Sequence, residues 1–246
     1  MKNIYAALGN TTRFLSGLTT VNQRGAREAC LMLVTSEPGY GKSETLRWYA
    51  TQEGNAVYLR AKAGWRPHWF LRELLDELSI APERTTEQMF RQALRALMTR
   101  PCPLIIDEIE HCLSDHKLME SIRDISDLAL SPVVMVGMQD AENKIKRYPQ
   151  IGSRLACVVQ FEKADAKDLK TAATTLLEGV TLENDLLDRI LKETDGRMRL
   201  VMNALATCEA IAHRQKVNKL SAADVATLEL AHDWQARGRR PLKAGV

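Results

Sequence analysis

Three consecutive residues, Gly41, Lys42 and Ser43, lie in the segment SEPGYGKSE at 36–44 and carry the chemistry of a phosphate-binding loop. In such a loop, backbone N–H groups wrap phosphate oxygens at the first turn of a helix, where the helix dipole also favours an anion. Lys42 would balance the β- and γ-phosphate charge, and the Ser43 hydroxyl would ligate Mg²⁺. The usual spacing is a glycine, four residues, then Gly-Lys-Ser/Thr, and here Ser36 stands where the first glycine is expected. Pro38, Gly39 and Gly41 keep the turn tight, so a small residue at the loop entrance is compatible with the wrap. Glu37, Tyr40 and Glu44 complete the expected nucleotide-binding segment. Further along, LIIDEIE at 104–110 ends an apolar run in two carboxylates. Asp107 there can hold magnesium, and Glu108 can orient an attacking water. The plain alternatives are a chance glycine turn and a pair of surface acids.

These residues need a scaffold that delivers strand ends to one place. ACLMLV (29–34) leads into the loop, and helix-compatible SETLRWYA follows it. NAVYLRA (55–61), PLIIDE, PVVMVG (132–137) and ACVVQFE (156–162) read as four more strands. Helical spacing separates them, at Phe70, Leu74 and Leu78, at Met89, Ala93 and Leu97, and at Leu118, Ile122, Ile125 and Ala129. Strands alternating with amphipathic helices predict an α/β fold with a five-stranded parallel sheet flanked by helices. After Glu162 strand-like runs stop. Four helical segments follow, the last SAADVATLELAHDW with Ser221 and Asp224 spaced as a capping box, which predicts a small all-α lid. The expected division is an N-terminal extension at 1–28, the α/β domain at 29–163, the helical lid at 164–235 and a basic tail at 236–246.

Composition narrows the partners. Of the 246 residues 45% are apolar, but no apolar run approaches the ~18 residues of a membrane span, and the start lacks a secretory signal pattern, so a cytoplasmic protein is expected. Five scattered cysteines do not form a disulfide framework. Cys102, His111, Cys112 and His116 lack paired zinc-ligand spacing. The formal charge of +3 comes from the tail: without Arg237, Arg239, Arg240 and Lys243 the chain has 30 basic residues against 31 acidic. Contacts to nucleic acid must therefore come from local patches. LRAKAGWRPHWFLR offers Lys62 and Arg66 to phosphates and Trp65 to a base, although its aromatics can equally be core or subunit contacts. Lys144 and Lys146 form a second patch, beside Arg147.

The strings SEPGYGKS, LIIDEIEHCL, VVMVGMQD, RYPQIGSRL and TDGRMRLVMNAL occur in the order found in the AAA+ ATPases. More narrowly, the chain resembles the transposition ATPases of the phage Mu B and Tn7 TnsC type over roughly residues 11–235. Related replication and secretion ATPases share much of this pattern. The resemblance implies Arg154 as the arginine finger that reaches a neighbouring subunit's γ-phosphate, with Arg147 a second candidate. It also implies Arg199 as the lid's sensor arginine, beside Arg197. Where many AAA+ proteins have a polar sensor after the fourth strand, this chain has Met138 followed by Gln139, a catalytic candidate that can align water or γ-phosphate if the strand end is shifted by one residue; slow hydrolysis, stimulated by DNA, is expected. The implied activity is that of an ATP- and Mg²⁺-dependent ATPase that coats double-stranded DNA as a homo-oligomeric filament or ring and delivers it to a transposase or integrase, in a bacterial host's cytoplasm if phage-encoded. A replication-initiation or helicase-loading ATPase, and a nucleotide-gated protein-interaction module without DNA binding, are the competing readings.

Overall fold

The computed structural model describes residues 1–53 and 55–231, so the basic tail and the last residues of the expected lid fall outside the described residues. The chain divides into two compact units, one of residues 10–38 and 42–161, the other of 1–9, 39–41 and the segment from 162 onward.

The larger unit is built on five parallel strands: β1 (Leu31–Ser36), β2 (Val57–Arg60), β3 (Leu104–Asp107), β4 (Val133–Met138) and β5 (Leu155–Gln160). Their spatial order is β2-β3-β4-β1-β5. Helices α1 (Gly9–Asn22), α2 (Lys42–Glu53), α3 (Pro67–Glu77), α4 (Thr86–Thr99) and α5 (His116–Ala129), with the short turns α6 (Ala141–Ile145) and α7 (Pro149–Gly152), connect and flank the strands. Strand side chains alternate between faces. Leu31 and Leu33 of β1 join one core, with Leu104, Ile106, Val133 and the buried stripes of α3, α4 and α5. Met32 and Val34 join the other, with Ile105, Val134, Val136 and α1. Burial on both faces explains why the strands read as continuous apolar runs.

The segment 1–28 carries more structure than its sequence suggests. α1 buries Phe14, Leu18 and Val21, a stripe at helical spacing that is diluted by Thr, Ser and Gly. Its Gly17 permits close packing, because a Cβ there would lie 2.6 Å from Val159 Cγ2.

In the smaller unit α8 (Ala166–Leu176), α9 (Asn184–Thr194) and α10 (Met198–Gln215) pack around Leu169, Leu186, Ile190, Val201 and Leu205. Two features correct the all-helical expectation. β6 (Thr181–Leu182) and β7 (Lys219–Leu220) form a short parallel pair. Among the described residues, the segment from Ser221 makes a single 3₁₀ turn at Ala223–Val225 instead of a helix, although Asp224 still accepts the Ser221 N–H and hydroxyl at 2.8 and 2.7 Å. Among the described residues no helix is long and apolar enough to cross a membrane.

Because Phe14 is fully buried against the sheet, Phe14→Ala is expected to cost about 3–5 kcal/mol of unfolding free energy, measurable by urea denaturation.

Candidate phosphate-loop site

β1 is buried along its whole length and ends at Ser36, from which the chain turns into α2. Gly39 and Gly41 adopt φ of +88° and +87°, a region that L-side chains rarely enter. Ser36 does more than tolerate the missing glycine. Lys42 Nζ donates to the Ser36 hydroxyl at 2.7 Å and to the Ser36 carbonyl at 2.8 Å, with the Glu37 carbonyl at 3.3 Å. The loop lysine thus closes on the loop's own entrance. Burial lowers the Lys42 pKa, opposed by the nearby carboxylates of Glu110 and Asp107. Ser43 follows in the first turn of α2, half-buried, while Glu37, Pro38 and Glu44 are exposed and Tyr40 is half-buried. Within the smaller unit, which includes Gly39–Gly41, the Arg199 N–H donates to the Gly39 carbonyl at 3.1 Å, and the Arg199 side chain is exposed.

β3 delivers Asp107 buried, with both carboxylate oxygens hydrogen-bonded. One carboxylate oxygen accepts from Tyr58 Oη at 2.7 Å and the other from the Glu108 N–H at 2.9 Å. Burial, and then the bond to Asp107, raise the Tyr58 pKa. Glu108 sits in a left-handed conformation, φ 58° and ψ 44°, as the chain leaves the strand. Its carboxylate accepts from Arg60, the last residue of β2, at 2.6 Å, with His111 Nε2 3.7 Å from the other oxygen. Arg60 pairs in register with Asp107. A basic residue therefore holds the acid expected to orient water.

β4 lies between β3 and β1, and its last residue, Met138, pairs with Ser36. Gln139 follows, exposed, one residue beyond the strand. Glu110, to which sequence spacing assigns no role, accepts the Met138 N–H and so ties the turn after β3 to the end of β4. Its partner is a backbone group 28 residues away, which no local spacing signals.

Other expected residues lie elsewhere. Arg154 precedes β5, and its carbonyl accepts the Leu31 N–H at 3.0 Å, so it stands at the amino end of β1, opposite the phosphate loop. Its guanidinium is paired with Asp127 of α5. Arg147 is exposed, in the turn after α6.

Among the residues offered for DNA contact, Trp65 is corrected outright. It is 1% exposed and packs on Phe70 at a centroid distance of 5.5 Å, so it cannot stack on a base. Trp69 is exposed instead, at 41%, with Lys62 Nζ 5.6 Å from its ring centroid. The four cations are exposed to differing degrees, and each faces an acid of its own chain: Lys62 pairs with Glu73, Arg66 with Asp115 at 2.7 Å, Lys144 with Asp140 at 3.1 Å and Lys146 with Glu142 at 3.2 Å. Among the described residues all five cysteines are free thiols, and no group of three or more His, Cys, Asp or Glu is placed to hold a metal ion.

Residues 25–145 match a family described as an AAA domain. A curated Staphylococcus aureus relative, described as a potential ATP-binding protein, is 27% identical over 139 residues, which are 50% of this chain and 48% of that protein. The match thus spans about half the length of the relative. The Aeropyrum pernix ORC2 protein, solved as ADPNP–ADP complexes, superposes with a TM-score of 0.70 at 14% identity, over 91% of this chain and 68% of that one. The Aeropyrum pernix ORC1 protein in complex with DNA gives 0.60 at 15% identity, over 92% and 65%. Domain III of the Thermotoga maritima replication initiation protein DnaA gives 0.57 at 15% identity, over 88% and 89%. The five-stranded parallel sheet, its strand order and these likenesses together give the chain the fold of the AAA+ P-loop NTPases.

Proposed function

We propose that this chain is an ATP-dependent, largely sequence-nonspecific DNA-binding ATPase that oligomerises on duplex DNA and delivers it to a transposase. One observation carries the ATPase part: the carboxyl edge of a single parallel sheet collects Lys42 and Ser43 after β1, Asp107 ending β3 with Glu108 after it, and Gln139 after β4. Ligands of open α/β sheets bind at that edge. The residues fit the group. Lys42, at present satisfied by Ser36, is the cation for β- and γ-phosphates, and the tight glycine turn exposes backbone donors. Ser43 and Asp107 would supply hard oxygen ligands of the kind Mg²⁺ takes. When bound, Mg²⁺ neutralises charge on the transferred phosphoryl group. Glu108, once released by Arg60, is the group that orients water. Gln139 and Arg199 are the polar residues left to sense the γ-phosphate.

Arg154 acts in trans in this reading. A six-residue strand rises roughly 3.3 Å per residue, so the amino end of β1 lies about 16 Å from its own phosphate loop. A head-to-tail contact between copies brings one copy's Arg154 to the next copy's nucleotide, and such a contact builds rings or filaments. Arg147 is the exposed second candidate. Lys62 and Arg66, with Lys144 and Lys146, are the groups for DNA phosphates, in exchange for their present acids. The likeness to a replication initiation protein favours one competing reading, an ATPase of replication initiation or helicase loading. Capture of a transposase by the assembled protein on DNA, and of no helicase, supports the first reading; capture of a helicase alone overturns it.

Three outcomes test the site. Lys42→Ala is expected to reduce binding of a fluorescent ATP analogue at least roughly 100-fold, and unchanged affinity would remove the phosphate-loop assignment. Arg60→Ala is expected to raise steady-state ATP hydrolysis a few fold, because the exposed Arg60–Glu108 pair is weak and holds the acid in reserve. Joint replacement of Lys62 and Arg66 by Ala is expected to flatten the dependence of log affinity for duplex DNA on log salt by about 0.9 for each phosphate that the protein no longer neutralises.

A further inference from the structure

Arg154 is not a loose arginine. Its Nε donates to both carboxylate oxygens of Asp127, at 2.7 and 2.5 Å. One terminal nitrogen, Nη1, donates to the Gln150 carbonyl at 2.9 Å and lies 3.3 Å from Ser153 Oγ. The other, Nη2, makes no hydrogen bond among the described residues. The side chain is 25% exposed, so the guanidinium is gripped from behind while one edge remains open.

Asp127 is itself held by the helix that bears it. α5 turns Glu120, Arg123, Asp124 and Asp127 to the same neighbourhood, where Arg123 bonds Glu120 at 2.6 Å and Asp124 at 2.5 Å. Glu120 accepts from the Gln150 side chain at 2.5 Å, so α5 also fixes the turn that carries the finger. The way Asp127 engages Arg154 distinguishes an anchor from a mask. A carboxylate that masks an arginine pairs fork to fork with the guanidinium and consumes its outer donors. Asp127 takes Nε, the nitrogen nearest the aliphatic stem, and leaves Nη2 for an incoming anion. An arginine whose rotamer is already fixed loses less entropy when it meets its ligand.

We propose that Asp127 is a positioning residue: it fixes Arg154 so that the Nη2 edge is presented to a polyphosphate held by a second copy of this chain. The assignment rests on the trans role given to Arg154 above. Loss of Asp127 does not remove the finger's charge. It frees the finger to wander, and a displacement of about 1 Å in a reacting geometry costs roughly 100-fold in rate.

The test uses the full chain with ATP and duplex DNA, in four variants. Asp127→Ala is expected to lower DNA-stimulated turnover roughly 10- to 100-fold, with affinity of the unassembled protein for a fluorescent ATP analogue changed by less than about twofold. Asp127→Asn, isosteric and with one acceptor oxygen left for Nε, is expected to retain a larger share of turnover. Mixing supplies a readout that a merely structural defect does not move. Asp127→Ala mixed with Glu108→Gln pairs an intact finger with an intact water-orienting site at some interfaces, so turnover is expected to exceed the sum of the two alone. Asp127→Ala mixed with Arg154→Ala offers no well-placed finger and is expected to gain nothing. Should Asp127→Ala lose its cooperative melting transition, the Asn variant replaces it in both mixtures. Wild-type turnover of the folded Asp127 variants, with Arg154→Ala inactive, would overturn the proposal while sparing the finger. Gain in the mixture with Arg154→Ala would likewise move Asp127 to another role. Wild-type turnover of Arg154→Ala would instead remove the finger reading itself.

Discussion

Val133 is the residue on which the sheet is registered. It pairs with Leu31 of β1 on one side and Leu104 of β3 on the other, and its N–H bonds the Cys30 carbonyl at 2.9 Å. Strand side chains have a period of two, so a slip of one residue would send each strand's apolar set to the wrong core. Both faces of this sheet are buried, and each core selects its own residues: Val133 and Met135 for one, Val134 and Val136 for the other. The register therefore has no alternative of similar energy. With it fixed, β1 and β4 end together, Met138 opposite Ser36, β3 ends at Asp107 one residue past the Ile106–Met135 pair, and the groups that follow share one edge. The site follows from strand pairing before any of its own contacts form.

At that edge the chain meets its own charges. Lys42 is held by Ser36, Glu108 by Arg60, and Asp107 by Tyr58 and a backbone N–H, while at the opposite end of the sheet Arg154 is held by Asp127. A buried or half-buried charge left without a partner is costly, so a site built to hold a highly charged ligand needs internal substitutes when the ligand is away. Ligand binding at such a site is an exchange of partners, and its net free energy is a difference between two satisfied states. The weakest of these pairs is the exposed one, Arg60 with Glu108, where water already competes.

The sheet and the two phosphate motifs were legible because they rest on local signals: apolar runs bounded by turn residues, and glycine, lysine and carboxylate at fixed spacing. What was not legible depends on contacts between distant residues. Nothing near Glu110 announces that it takes the Met138 N–H, and nothing near Asp127 announces Arg154. The burial of Trp65 and the exposure of Trp69 were partly readable. α3 buries Phe70, Leu71, Leu74 and Leu75, which puts Trp69 on its outer face, whereas Trp65 precedes the helix and its burial is set by tertiary packing on Phe70. α1 gives a weak sequence signal because its buried positions include Asn10, Thr11 and Gly17, residue types that dilute a hydrophobic stripe.

α5 acts as a strut. Its capping residue, Asp115, grips Arg66 in the loop after β2, and Asp127, twelve residues on, grips Arg154 before β5. At 1.5 Å per residue the two grips stand about 18 Å apart along one hydrogen-bonded rod. A helix resists stretching far better than a loop does, so the spacing between the two grips is set by the rod and not by the loops that carry the arginines. Two surface regions distant in sequence are in this way spaced by a single piece of secondary structure whose length owes nothing to either of them.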